Sequence, residues 1–85
     1  MKLLYCRKCQ DILKMVPMAP RKCWCSVSSG KLNWDTSATV RGEHAEVIVI
    51  DNESFELALS GKDAPRTGIN AWLVPHEEGT SIKWL

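Results

Sequence analysis

Four cysteines stand close together near the beginning of the chain, and they are its clearest chemical signal. They form two pairs, Cys6 with Cys9 and Cys23 with Cys25. Zn²⁺ prefers four soft or borderline ligands in a tetrahedron, and two cysteines separated by two residues can fill two corners from one tight turn. The second pair has only Trp24 between its cysteines, so a turn there must bring the two sulfurs together. The spacing predicts one zinc ion per chain.

Disulfides and a redox-active dithiol are the alternatives to this metal site. The short second pair departs from the usual zinc-ribbon pattern, which has two residues inside each pair. However, only Leu3, Leu4 and Tyr5 lie between Lys2 and Cys6, too few for the apolar region of a secretory signal. We therefore expect a cytoplasmic protein, in which thiols stay reduced and can bind a metal. Four cysteine ligands leave no open position for water, so we expect the zinc to be structural.

The length and charge of the chain limit its stability and its partners. A chain of 85 residues buries only a small core, so we expect the metal and self-association to add stability. Residues 1–31 carry seven Lys and Arg against one Asp, whereas residues 32–85 carry four against nine acids. A zinc ion with four thiolates contributes a charge of −2, which offsets part of the basic segment. No apolar run approaches the length of a membrane span, so we expect a soluble protein.

The sequence predicts one domain over residues 1–85, a small α+β fold that is mostly β. The amino-terminal part, residues 1–31, is expected to form a zinc-ribbon-like hairpin. Its strands are predicted at residues 2–5 and 12–16, and a proline-containing tip at residues 17–20 returns the chain to Cys23. Residues 26–30 have a loop composition, and we favour a turn there over a phosphate-binding nest followed by Lys31.

The second part, residues 32–85, is predicted to be an antiparallel sheet with one short helix. Strands are predicted at residues 37–42, 45–50, 69–74 and 80–85, with the last two forming a hairpin. The helix is predicted near residues 52–60, capped by Asp51 or Asn52 and stopped by Gly61. The consecutive aliphatic residues 47–50 are typical of a strand buried on both faces. We expect a second copy to cover one of these faces, most simply in a dimer.

Several short motifs resemble those of small zinc-ribbon-headed proteins encoded by bacteriophages and prophages. These motifs are the opening nine residues, Cys23-Trp24-Cys25-Ser26, the tract at residues 29–35 and the tract at residues 52–55. The resemblance implies a cytoplasmic phage accessory protein. Many such proteins interfere with host defence, and one strategy is an oligomeric sponge that captures a nucleotide immune signal.

The chain shows no constellation typical of an enzyme. His44 and His76 each stand beside glutamates in predicted turns, as surface histidines commonly do. The glutamates show no spacing that singles out a catalytic pair. We therefore expect a binding protein rather than an enzyme.

The four tryptophans suggest where a ligand could bind. We expect Trp24 to cover the metal cluster and Trp84 to lie in the core or an interface. Trp34 is our first candidate for a ligand contact, because its ring can stack on a base and its neighbours supply hydrogen-bonding groups and a cation. Core packing is the alternative for Trp34. The candidate ligand-binding residues are Lys31, Asn33, Trp34, Asp35, Arg41 and Arg66.

These residues favour a nucleotide-type small molecule as the ligand. A purely structural part of an assembly is a further alternative. The second hypothesis is a zinc-ribbon module that binds nucleic acid or a host protein. It depends on the basic residues beside the cysteines, Arg7, Lys8, Arg21 and Lys22, which could contact phosphates.

Overall fold

The computed structural model describes residues 1–60, 68–76 and 81–85. Within these residues the chain forms eight strands and one helix, which confirms the predicted small, mostly β fold. The elements in chain order are β1 (Lys2–Cys6), β2 (Ile12–Lys14), β3 (Arg21–Lys22), β4 (Ser29–Leu32), β5 (Ala38–Arg41), β6 (Ala45–Ile50), α1 (Asn52–Ser60), β7 (Ala71–Leu73) and β8 (Ile82–Trp84). The predicted helix stop at Gly61 and the predicted ligand contact Arg66 lie outside the described residues.

The strands form two four-stranded sheets. Sheet 1 has the order β2-β1-β6-β7, and all its neighbouring strands are antiparallel. Sheet 2 has the order β3-β4-β5-β8, in which β5 and β8 are parallel. Consecutive strands therefore pair locally in β1/β2, β3/β4 and β4/β5, whereas the short carboxyl-terminal strands join distant partners.

The hydrophobic core lies between the two sheets. Leu4 and Val47 from sheet 1 are fully buried, and they belong to one cluster with Val40 and Ile82 from sheet 2. Met15, just after β2, fills the space between them and is 1% exposed. The cluster also contains Ala38 and Ala45, and the partly buried residues packed against it are Leu13, Leu32, Val49, Val74 and Trp84.

Gly30 shows why a stretch with loop composition forms a strand. It lies in β4, paired with Arg21 and Val40, so the predicted turn at residues 26–30 is wrong for its last two residues. A Cβ atom on Gly30 would lie 2.6 Å from the Met15 sulfur. The absence of a side chain at this position therefore lets Met15 pack against the sheet.

The two predicted hairpins form only in part or not at all. The predicted strands at residues 2–5 and 12–16 do pair as β1 and β2, but the chain returns after residues 17–20 into sheet 2, so residues 1–31 do not form one zinc-ribbon-like hairpin. The predicted carboxyl-terminal hairpin is also wrong, because β7 pairs with β6 and β8 pairs with β5. Pairing with these longer strands lets β8 place Ile82 in the core beside Ala38.

Strand β6 has one buried face and one partly covered face. Val47 is fully buried, whereas Ile48 and Ile50 point to the opposite side of sheet 1 and are half-buried. Within the part of the chain that the structure describes, the outer face of β6 is therefore not fully buried by one copy.

The helix begins as predicted. The backbone N–H of Ser54 donates to the Asp51 carboxylate at 3.2 Å, the bond expected of an N-terminal cap. None of the helix residues is fully buried, and Leu57 and Leu59 are exposed. Among the described residues, no helix has the length and apolar character required to cross a membrane.

Candidate metal centre and ligand-binding face

The four cysteines meet at one end of the molecule, where two loops face each other. Cys6 and Cys9 lie at the loop between β1 and β2, and Cys23 and Cys25 lie between β3 and β4. All four sulfur atoms lie within 4.8 Å of one another. The distances are 3.6 Å from Cys23 to Cys25 and 3.8 Å from Cys6 to Cys25.

These distances fit tetrahedral coordination. A zinc ion with Zn–S bonds of about 2.3 Å requires neighbouring sulfurs to be about 3.8 Å apart. Sulfurs joined in a disulfide would be about 2.05 Å apart, and the four thiols are free. The predicted ligand set is therefore assembled in an arrangement that can bind a metal ion. We name Cys6, Cys9, Cys23 and Cys25 the cysteine cluster.

The two loops reach the same end by related backbone turns. In the first loop, the N–H of Gln10 donates to the carbonyl of Cys6 at 2.7 Å, and Gln10 has φ 62°. In the second, the N–H of Ser26 donates to the carbonyl of Cys23 at 3.0 Å, and Ser26 has φ 66°. Each loop thus turns through a left-handed residue directly after its second cysteine. The second loop does so with one residue fewer, which confirms the predicted turn at Trp24.

Neighbouring polar groups lower the pKa of two thiols, those of Cys6 and Cys23. Burial raises the pKa of Cys6, but the Ser28 hydroxyl and the backbone groups of Cys9 and Lys8 outweigh this effect and lower it to about 6. For Cys25, a backbone hydrogen bond at Val27 lowers the pKa. Burial and the other three cysteines outweigh this effect and raise the pKa of Cys25 to about 11. The Cys6 thiol therefore loses its proton more readily than the Cys25 thiol.

Ser28 provides an independent test of the fit to a metal. Its side chain is 1% exposed, and its hydroxyl has no partner within ordinary hydrogen-bonding geometry among the described residues. A buried hydroxyl without a partner is unfavourable. This hydroxyl lowers the pKa of the Cys6 thiol. A Cys6 thiolate would accept a hydrogen bond from it more strongly than the neutral thiol does. The orphaned hydroxyl therefore fits a cluster in its thiolate, metal-binding form.

Gly42 allows the second loop to approach the rest of the fold. It has φ +114°, and a Cβ atom there would lie 2.5 Å from the Val27 carbonyl oxygen and 3.2 Å from the Ser28 hydroxyl. A side chain at Gly42 would therefore push Ser28 away from the cluster. Spacing rules did not identify Gly42 or Ser28, since their roles arise from tertiary contacts.

Trp24 does not cover the cluster, so that prediction is wrong. Its side chain is 85% exposed. Its backbone N–H donates to the Asp11 carboxylate at 2.9 Å, which joins the two cysteine loops. The short spacing forces the backbone of Trp24 into the turn and directs its indole ring to solvent.

Three of the predicted ligand-binding residues meet on the outer face of sheet 2. Lys31, Asn33 and Arg41 line a depression of about 260 Å³. Thr39 and Pro20 also line it. We name this feature the Lys31 depression.

Trp34 lies beside this group, in a second depression of about 440 Å³ that shares Asn33 with the first. The Trp34 side chain is 82% exposed, so the alternative that it packs in the core is wrong. Thr36 lines the same depression and has φ +71°, which is uncommon for a β-branched residue. We name this second feature the Trp34 depression.

Hydrogen bonds hold Asn33 and Asp35 in place. The Asn33 amide donates to the hydroxyls of Ser37 and Thr39, both at 3.0 Å, which leaves its oxygen to accept from a ligand. Asp35 accepts from the hydroxyl and backbone N–H of Ser37 at 2.6 and 3.1 Å. These bonds, aided by the charge of Lys83, lower the pKa of Asp35. Asp35 thus shapes the loop that presents Trp34.

Among the other predicted residues, Arg7 and Trp84 have structural contacts. Arg7 pairs with Glu46 at 3.1 Å, and Glu46 also contacts His76 at 2.8 Å. His76 stacks on Trp84 with their ring centroids 3.8 Å apart. Trp84 packs against the core, as one of its two predicted roles required.

The fold and the cluster together define a small, mostly β protein with a four-cysteine site capable of binding a metal. No protein-family model matches this chain, and no curated protein or solved structure matches it significantly. The resemblance to phage-encoded proteins therefore stays a prediction.

Proposed function

We propose that this protein is a zinc-stabilised, phage-type accessory protein that binds and sequesters a nucleotide-type ligand in the host cytoplasm. The observation that carries the proposal is the meeting of Lys31, Asn33 and Arg41 in one depression beside the exposed ring of Trp34. A nucleotide needs groups for its phosphate, groups for its base edge and a surface for its base. This part of the molecule offers all three.

The cysteine cluster is proposed to hold a structural zinc ion. Four thiolates would satisfy its tetrahedral preference and leave no position for a reacting water. The ligands come from the β1/β2 loop of sheet 1 and the β3/β4 loop of sheet 2. The ion would therefore hold the two sheets together at one end. Zinc binding contributes on the order of 10 kcal/mol to folding in small zinc modules, which is large for a chain with so small a core.

Ligand binding is proposed to use the two depressions as one site. Lys31 and Arg41 would contact phosphate, and the planar guanidinium of Arg41 can donate two parallel hydrogen bonds. The Asn33 oxygen would accept from the base, and Trp34 would stack on its face. The side chains of the Lys31 depression serve mainly as hydrogen-bond donors, which suits retention of a phosphate ligand. Sequestration of a host immune signal is the role that the phage resemblance supports.

Self-association is proposed to use the outer face of sheet 1. A groove of about 370 Å³ crosses this face, and Ile12 and Leu73 on it are 54% and 61% exposed. Glu46, at the groove, is already paired with Arg7 and His76. Apart from the exposed Lys14 on β2, the face is therefore mainly apolar with its acid neutralised. A second copy could cover it at little electrostatic cost because the net charge is +1. The other residues lining the groove are Tyr5 and Ile48.

Calorimetry against a panel of cyclic and ADP-ribose-type nucleotides tests the proposed function. We expect stoichiometric binding and release of unchanged nucleotide on denaturation. Trp34→Ala should weaken binding by roughly 1 to 3 kcal/mol, the usual contribution of one stacked base. Trp24→Ala is the matched control, since its indole is equally exposed but lies at the other site. Conversion of the nucleotide to a new product, or equal effects of the two variants, would contradict the proposal.

Nucleic acid or a host protein is the second candidate, favoured by exposed groups beside the cysteine cluster. Lys8, Arg21 and Lys22 are exposed there, and Trp24 offers a flat ring. Arg7, in contrast, is engaged with Glu46. Binding of oligonucleotides alone, abolished by modest salt and by Arg7→Glu with Lys8→Glu, would favour this candidate.

A further inference from the structure

The outer face of sheet 2 carries one cation on each of its four strands. Strand register places Lys22 of β3 in the same row as Ser29 of β4 and Arg41 of β5. The neighbouring row contains Lys31 of β4, Thr39 of β5 and Lys83 of β8. Paired residues share a face of a sheet, and alternate residues of a strand share it too. All six side chains therefore point away from the core. We name Lys22, Lys31, Arg41 and Lys83 the cation track.

The cation track follows a zigzag line across the strands. Its members alternate between the two rows as one passes from β3 to β4, β5 and β8. Adjacent strands are about 4.8 Å apart and alternate residues about 6.8 Å apart, so successive Cα atoms are about 8 Å apart and the two end Cα atoms are about 16 Å apart. The hydroxyls of Ser29 and Thr39 fill the positions between the cations.

The charges of the track are available to a ligand. No acidic residue lies in β3, β4, β5 or β8. Within the part of the chain that the structure describes, none of the four cations is in an ion pair. Asp35 lies close enough to Lys83 for that cation to help lower its pKa, but it is held by Ser37. The track thus combines lysine, arginine and hydroxyl donors, the groups that commonly contact phosphates in nucleic-acid complexes.

We infer that the cation track binds a ligand with several phosphates, a phosphodiester-linked chain of nucleotides lying across the strands of sheet 2. This inference rests on the proposed function and adds Lys22 and Lys83 to its contacts. A single phosphate held by Lys31 and Arg41 cannot reach both ends of a line whose end Cα atoms are about 16 Å apart. A chain of linked nucleotides can contact the whole line, with a base directed past Asn33 onto Trp34. The same chemistry is offered by a short cyclic or linear nucleotide and by a segment of single-stranded nucleic acid.

The test uses the metal-containing protein and 5′-phosphorylated thymidylates of increasing length, together with a cyclic dinucleotide. We expect affinity to rise with the number of phosphates until the track is covered, and then to level. For the longer thymidylates, Lys22→Gln and Lys83→Gln should each reduce the slope of log K against log salt by about 0.7, as expected for one lost contact to a single strand. Lys14→Gln is the control, because Lys14 is an exposed cation on the outer face of sheet 1.

The outcomes separate this inference from the proposed function. If the mononucleotide binds as tightly as the longer ligands and both track variants match the wild type, the inference is overturned and the proposed function stands. If no nucleotide binds, both are overturned. Tight binding of the cyclic dinucleotide would identify the ligand as a free nucleotide. Tight binding of the longer linear chains alone would identify it as a nucleic-acid strand. Both results support binding at the cation track.

Discussion

The outer faces of the two sheets differ in their chemistry although the sheets share one core. On sheet 1, Leu3, Ile48 and Leu73 form an apolar row across three strands, which Lys14 ends on the edge strand β2. On sheet 2, Lys31, Thr39 and Lys83 form the corresponding row. The inner faces are similarly apolar, since both contribute to the same cluster. The core therefore explains why the sheets pack together, and the outer faces indicate what each presents to other molecules.

The cysteine cluster is the feature on which both faces depend. It draws two ligands from a loop of each sheet, so a metal there would fix the sheets relative to each other. Three kinds of substitution should therefore have different effects. The first removes a metal ligand that joins the sheets, the second changes the apolar face of sheet 1, and the third weakens the metal site without removing a ligand.

Replacing Cys23 by Ser should have the largest effect. Three thiolates bind zinc weakly, and much of the metal's folding contribution, on the order of 10 kcal/mol, would be lost. We expect loss of zinc and unfolding of at least the amino-terminal half, measured by elemental analysis and circular dichroism. Met18→Ser is the control, because Met18 is 86% exposed in the segment between β2 and β3. A folded, metal-free Cys23→Ser protein would show that the cluster does not hold the sheets together.

Opposite sides of β6 should respond differently to a negative charge. Ile48→Glu places a carboxylate on the outer face of sheet 1, so we expect dimers to dissociate while the fold and nucleotide binding are retained. Val49→Glu places it against the core and should unfold the chain, because an unpaired buried charge is costly. Light scattering and thermal unfolding measure the two effects. A wild type that is monomeric at high micromolar concentration would remove the assigned role of the apolar face.

Ser28→Ala should have the smallest effect of the three. Loss of the hydroxyl removes a group that lowers the pKa of Cys6, so protons would compete more effectively with the metal. We expect metal affinity to fall about 10-fold to 100-fold, the usual effect of losing a hydrogen bond to a metal ligand. Metal release on acidification should therefore begin at a higher pH than in the wild type. Titration with a chromophoric chelator measures this shift, and Ser60→Ala is the control at an exposed serine away from the cluster. Equal release curves would show that Ser28 has no role in the site.

The sequence predicted those parts of the fold that local patterns determine. The β-branched run at residues 45–50 and the Asp51 cap produced a strand and a helix at the expected positions. The cysteine spacing predicted the cluster. In contrast, β4 was missed because the space left by Gly30 is filled by Met15 from a distant segment. The partners of β7 and β8 were also missed, since their pairings join residues far apart in sequence.

The candidate ligand site was predicted only in part for a similar reason. Lys31, Asn33 and Trp34 are neighbours along the chain, and their grouping could be recognised there. Lys22 and Lys83 join them only through strand pairing, and Lys83 does so through the parallel pairing of β8 with β5. A search for local motifs cannot find side chains that are brought together only by the register of strand pairing.

Native mass spectrometry of protein purified from cells without chelator tests the central claim most directly, because it reports metal, subunit number and retained small molecules in one spectrum. We predict one zinc ion per chain and a dimeric assembly that carries a phosphate-containing ligand, released unchanged on denaturation. A folded monomer with neither zinc nor a bound phosphate compound would contradict the account.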